Sequence, residues 1–161
     1  ILSLHHMEDI GGALDKLASL LRAGGTLVVV EFAWDRIDGK TTEWVLARLP
    51  GTSASGKHSW LERCCRRRVH SGGDEVGHLH AEAHAAGWAG EEGLHCSGRI
   101  REEIGRRFVE RSFSWGPYLY PELDDDTSEA HELAAIEAGE INATSFCYVG
   151  AVASERSAFA G

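Results

Sequence analysis

The pair His5-His6 is the stretch of this chain best equipped to move a proton. An imidazole titrates near neutrality, so either ring can serve as general base toward a hydroxyl or an amine. Of the two, His6 is the favoured base. The alternative is structural: one ring hydrogen-bonds the backbone and fixes the loop. Glu31 can contact a substrate or polarise a pocket, or it can cap the turn that follows it. Phe32 and Trp34 can wall an apolar ligand, and so can Trp115, Tyr118 and Tyr120, with ordinary core packing as the competing role. His78, His80 and His84 are spaced H-x-H-x3-H, with His95 and Cys96 nearby. Neutral imidazoles bind zinc well. On a helix, however, residues two apart point about 200° from each other, so only His80 and His84 share a face. No compact set of four ligands follows, and no metal is expected. Cys64 and Cys65 are adjacent and can bridge only with strain.

These groups need elements to hold them. Ile1-Leu2-Ser3-Leu4 reads as the apolar end of a strand, with His5-His6 at its carboxyl end. Glu8 and Asp9 open a helix where its dipole favours negative charge. Ile10, Leu14, Leu17, Leu20 and Leu21 recur at helical spacing and define one buried face. Gly24-Gly25 stops that helix in left-handed geometry. Thr26-Leu27-Val28-Val29-Val30 then runs without polar alternation, which predicts a strand buried on both faces, in the middle of a parallel sheet. Glu31 ends it. The sequence predicts a helix over 41–49 capped by Thr41 or Thr42, and a second one within 58–69, separated by polar loops. Together 35–96 reads as a helical insertion shaping a pocket. Ser97 is placed to cap the next helix. A strand follows, running to about Trp115 and turned by Gly116-Pro117. Ser128 caps a helix ended by Gly139, and 141–153 forms the last strand. The fold class predicted is α/β: a partial Rossmann-like, mostly parallel sheet with an antiparallel last strand, in one domain over 1–161.

The totals narrow the function. The chain has 161 residues and a formal net charge of −9, which argues against a nucleic-acid footprint. The cluster Arg63, Arg66, Arg67 and Arg68 reads as a solvated helix end. No apolar run approaches the ~20 residues that span a bilayer. Four cysteines without a framework pattern predict a reducing cytoplasm.

SLHHMED, followed by a helix and LLRAGGTLVVVEF, resembles the second half of a class I S-adenosylmethionine-dependent methyltransferase. In that family a strand ends in a short motif that often holds paired His. A helix follows, then a Leu-Lys/Arg-Pro-Gly-Gly turn, then a strand with an acidic end. Ala23 stands here in place of the Pro. PYLYPEL, a helix and GEINATSFCYVGAVA resemble the family's closing strands. The family's Gly-rich cofactor turn has no counterpart after Ile1, so the resemblance implies the carboxyl-terminal part of a catalytic domain, lacking roughly 100 residues.

The resemblance implies methyl transfer from S-adenosylmethionine to a small-molecule acceptor. It places His6 and His5 as catalytic residues, and Leu4 and His5 against the cofactor. Glu31, Phe32, Trp34, Trp115 and Tyr118 then contact the acceptor. Methyl transfer asks mainly for alignment, since the sulfonium is already activated. The competing expectation is a non-catalytic α/β fragment that binds a partner, or a second copy of itself, through an unfinished sheet edge. A zinc hydrolase built on the His cluster is a remote third.

Overall fold

The computed structural model describes residues 3–50, 60–70 and 93–152. Helix α1 (Ile10–Leu20) starts at Asp9, whose carboxylate accepts the Gly12 N–H at 2.8 Å. Its apolar stripe buries Ile10 and Leu14. Gly24 takes φ 73° in the turn that follows, a conformation open to glycine at little cost. Strand β1 (Thr26–Phe32) comes next, then α2 (Gly39–Leu46) and α3 (Trp60–His70). Beyond them lie α4 (Ser97–Gly105), β2 (Phe108–Gly116), α5 (Glu129–Glu137) and β3 (Ser145–Val152).

The expected mostly parallel, Rossmann-like sheet is not what forms. Among the described residues there is one three-stranded sheet, ordered β1-β3-β2, and both of its pairings are antiparallel. The last strand in sequence inserts between the other two. Thr26 to Phe32 pairs with Ala151 to Ser145, and β2 pairs along the other side of β3 with a bulge at Arg111. β1 and β2 point the same way but never pair with each other. The apolar run of β1 is the source of the misreading. Its side chains alternate in burial: Leu27 and Val29 lie inside, whereas Val28 and Val30 face out. An unbroken valine run predicts two buried faces, yet among the described residues helices cover only one, and Val28 and Val30 are exposed on the other.

The expected first strand does not extend through Ser3 and Leu4. Leu4 to His6 form a 3-10 turn, and Ile1 and Leu2 lie outside the described residues. The physical reason is the Glu31 carboxylate, which accepts the Ser3 and Leu4 amides in place of a neighbouring strand.

Two clusters make the core. One fills the covered sheet face, where Leu4, Ile10, Leu14, Leu27, Val29, Ile100, Ile104, Phe108, Phe146 and Tyr148 meet under α1 and α4. The other lies beyond the end of the sheet, where α2 and α3 pack Trp34, Ile37, Trp44, Val45, Leu61, Cys64 and Cys65 against Phe32 and Leu119. Burying each large side chain of this kind contributes about 1.5–3 kcal/mol. Arg107 ties α1 to the end of α4 by bonding Asp15 (2.5 Å) and Glu103 (2.7 Å). Its hydrogen bonds hold both carboxyls below their ordinary range, against the opposing effect of burial. Among the described residues no helix is long and apolar enough to cross a membrane.

Candidate functional site

Glu31 is fully buried at the end of β1, and its carboxylate is surrounded by donors. Oε1 accepts the backbone N–H groups of Ser3 and Leu4, both at 2.5 Å, and Oε2 lies 2.5 Å from Nδ1 of His5. A buried carboxylate is tolerated when its lone pairs are matched in this way. A carboxylate oxygen only accepts, so the pairing puts a proton on Nδ1 of His5. In the neutral ring Nε2 is then the acceptor, the tautomer a general base requires.

A second histidine closes the turn from the opposite side. The His95 N–H donates to the His5 carbonyl (2.9 Å), and its Nε2–H donates to the Met7 carbonyl (2.8 Å). The Trp34 indole N–H donates to the His95 carbonyl at 3.0 Å. Trp34 is therefore a buried buttress of the turn rather than an exposed pocket wall. Asp35 completes the frame by accepting both the N–H and the hydroxyl of Ser97, each at 2.8 Å. Residues 34–35 thus hold the segment 95–97, which in turn holds His5.

Phe32 is the centre of an aromatic group beside the imidazole. Its ring stacks on Tyr118 (centroids 4.6 Å apart, planes at 17°) and meets Trp60 edge-on at 5.3 Å. The His5 ring approaches it edge-on at 6.0 Å. Tyr118 is half-buried; burial first, then the charges of Glu31 and Glu122, push its phenol above the ordinary value. Its backbone is fixed by another buried carboxylate. Glu132 on α5 accepts the N–H groups of Tyr118 (2.9 Å), Leu119 (2.9 Å) and Tyr120 (2.8 Å).

The structure brings His5, Glu31, Phe32 and Tyr118 into one group. Leu4 sits beneath it, fully buried. His6 is exposed, with its ring 4.2 Å from that of His5, and no described residue hydrogen-bonds its imidazole. Trp115 belongs elsewhere. It packs on Phe113 (5.0 Å) and Phe146 (6.0 Å), under the Arg36 guanidinium at 3.9 Å. The Gly116-Pro117 turn sends Trp115 to the sheet cluster and Tyr118 to the helical one.

Sequence reasoning missed the anchoring roles of His95, Asp35 and Glu132. Each acts on residues distant in the chain, and a local pattern carries no signal for such a contact. His78, His80 and His84 lie outside the described residues. Among those described, no group of three His, Cys, Asp or Glu side chains is placed to hold a metal ion. No family model matches the chain, and the searches of curated proteins and of solved structures return no match.

Proposed function

We propose that this chain takes part in S-adenosylmethionine-dependent methyl transfer to a small-molecule acceptor in the cytoplasm, with His5 as the base that removes the acceptor's proton. One observation carries the reading: the Nδ1 pairing of His5 with buried Glu31, beside the Phe32–Tyr118 stack. A base of this kind needs a fixed tautomer, an ordered ring and an apolar wall to align the acceptor. Glu31 supplies the first two and the aromatic stack the third. The sequence motifs around SLHHMED and LLRAGGTLVVVEF support the choice of reaction.

The described residues fit the acceptor better than the donor. Leu4 is fully buried and its amide is bound to Glu31. Glu31 is fully buried, with both oxygens engaged by Ser3, Leu4 and His5, so it is not presented to a donor's hydroxyls. Leu4 and Glu31 therefore support the site from beneath rather than touch the donor directly.

The test is transfer of a labelled methyl group from S-adenosylmethionine to a panel of phenol, catechol and amine acceptors. His5→Ala is expected to lose about 10²–10⁴ in rate, the usual weight of a general base. His6→Ala is expected to lose under about tenfold, because its ring lies outside the pairing. Absence of transfer by the unaltered chain, or equal loss in both variants, would sink the proposal.

A further inference from the structure

We infer that the groove between α4 and the first half of β2 binds a small zwitterion, an α-amino acid with an apolar side chain. The groove has a volume of about 570 Å³, within the range of about 300–1,000 Å³ that small-molecule sites occupy. Gly98, Arg101 and Gly105 of α4 line one side. Phe108 and Glu110 of β2, with Tyr148 of β3, line the other. The lining shares no residue with the group around His5.

Missing side chains make the space. Gly98 and Gly105 stand two turns apart on one face of α4, and a Cβ at either would meet nothing within 4 Å. Gly150 lies across from Glu110 in the ladder, so the two share a sheet face with Tyr148. A Cβ at Gly150 would stand 2.5 Å from Cε1 of Tyr148. Its absence lets the tyrosine ring lie along the strand, where the hydroxyl donates to the Phe108 carbonyl at 3.1 Å. Beside that ring, Val109 is 60% exposed and also lines the groove, so it offers apolar surface to a ligand.

Charge selects the ligand. The exposed Arg101 guanidinium lies over the Phe113 ring at 3.8 Å, and no described carboxylate pairs with it. Stacking of this kind steadies the cation and leaves its N–H groups free to donate. Glu110 is exposed as well and pairs with no described cation. The third charge in the lining, Glu102, is already matched by Arg106 at 2.7 Å and Arg99 at 3.7 Å. Both unmatched charges act on the Tyr148 phenol: burial is the main cause that raises it, Glu110 raises it further and Arg101 lowers it. The groove therefore holds one cation and one anion around the same ring, each without a partner. A simple anion there would face Glu110, and a simple cation would face Arg101. An uncharged ligand would strip water from both. A molecule with a carboxylate and an ammonium answers both, and an apolar side chain suits Val109 and the tyrosine ring.

The probes are phenylalanine, phenylpropionate, which lacks the ammonium, and phenethylamine, which lacks the carboxylate. Each is titrated into the full chain by calorimetry. Phenylalanine is expected to bind about tenfold tighter than either analogue, the weight of one charge-assisted hydrogen bond. Glu110→Gln is expected to erase its advantage over phenylpropionate. Arg101→Met, which keeps the apolar stem, is expected to erase its advantage over phenethylamine. Gly105→Leu is expected to abolish binding of all three by filling the groove, with a melting temperature unchanged or raised, because leucine favours a helix over glycine. Gly98→Leu is expected to do the same from the other end of the groove, so the test survives if one of the two variants folds poorly. No binding of phenylalanine at millimolar concentration, equal binding of the three probes, or binding that survives a folded leucine variant overturns the proposal. The readout involves no methyl transfer, so its outcome is separate from that of the methyl-transfer proposal.

Discussion

At the scale of single residues, Glu31 does two jobs with one carboxylate. It converts Ser3 and Leu4 from strand ends into a 3-10 turn, and it sets the His5 tautomer. Glu31→Gln keeps the shape but brings an NH₂ donor into a ring of donors. Either two donors then face each other in a dry site, or the His5 ring must shift its proton from Nδ1 to Nε2, and in both cases the buried charge that held the turn is gone. Breaking hydrogen bonds to a buried charge costs about 2–4 kcal/mol. The expected result is a lower urea midpoint with an unchanged denaturant slope. A stability loss under about 0.5 kcal/mol would show that the turn stands without the carboxylate. Gly139 offers a cleaner single-residue test. It ends α5 at φ 71° in a Schellman arrangement: its own N–H donates to the Ile136 carbonyl and the Glu140 N–H to the Ala135 carbonyl. No heavy atom comes within 4 Å of where a Cβ would stand. Gly139→Ala therefore measures backbone strain alone, and an increase of about 1 kcal/mol in the unfolding cost of glycine relative to alanine at this site is expected by thermal melting.

At the scale of elements, helix ends show what a local pattern can and cannot announce. Ser128 caps α5 as its position implies, with the His131 side chain closing the box back to the Ser128 N–H. The two other expected caps shift. Helix α2 starts earlier than Thr41, because Asp38 accepts the Thr41 N–H at 2.8 Å. Helix α4 includes Ser97 as its first residue, and its cap comes from Asp35, far away in the chain. Strand β2 was legible because aromatic and polar residues alternate along it and Gly116-Pro117 stops it. The pairing order was not, since a strand's neighbours depend on the whole sheet and the valines of β1 look alike on either face. In the candidate site, His5, Glu31, Phe32 and Tyr118 were legible by residue type at element ends. Their division from Trp115 was not, because a turn decides it. The remote cap is testable. Asp35→Ala leaves the Ser97 N–H without its acceptor, and a loss of about 1 kcal/mol is expected, with faster amide exchange confined to the first turn of α4. Exchange unchanged at 97–100 would show that the cap contributes nothing.

At the scale of the whole molecule, the two core clusters each contain one tyrosine whose phenol is pushed above its ordinary value. Burial is the main cause for both Tyr118 in the helical cluster and Tyr148 in the sheet cluster. Tyr118 is raised further by the charges of Glu31 and Glu122. Tyr148 is raised by Glu110 and partly relieved by Arg101. The consequence for stability has a definite sign. Below the ordinary phenol value of about 10 both folded and unfolded chains keep these protons, and the full contribution is present. Above it the unfolded chain loses them first, so folding stability falls as pH rises toward the folded-state values. The expected observation is a decline in urea midpoint between about pH 9 and pH 11. Tyr148→Phe also removes the hydroxyl that donates to the Phe108 carbonyl at 3.1 Å, so it lowers stability by about 1 kcal/mol at every pH. The slope of the decline, rather than the offset, is therefore the measurement. Each of Tyr118→Phe and Tyr148→Phe should flatten it, and because the rings occupy separate clusters the double variant should flatten it by the sum of the two. A slope untouched by both substitutions would mean that the alkaline limit of this fold is set by other groups.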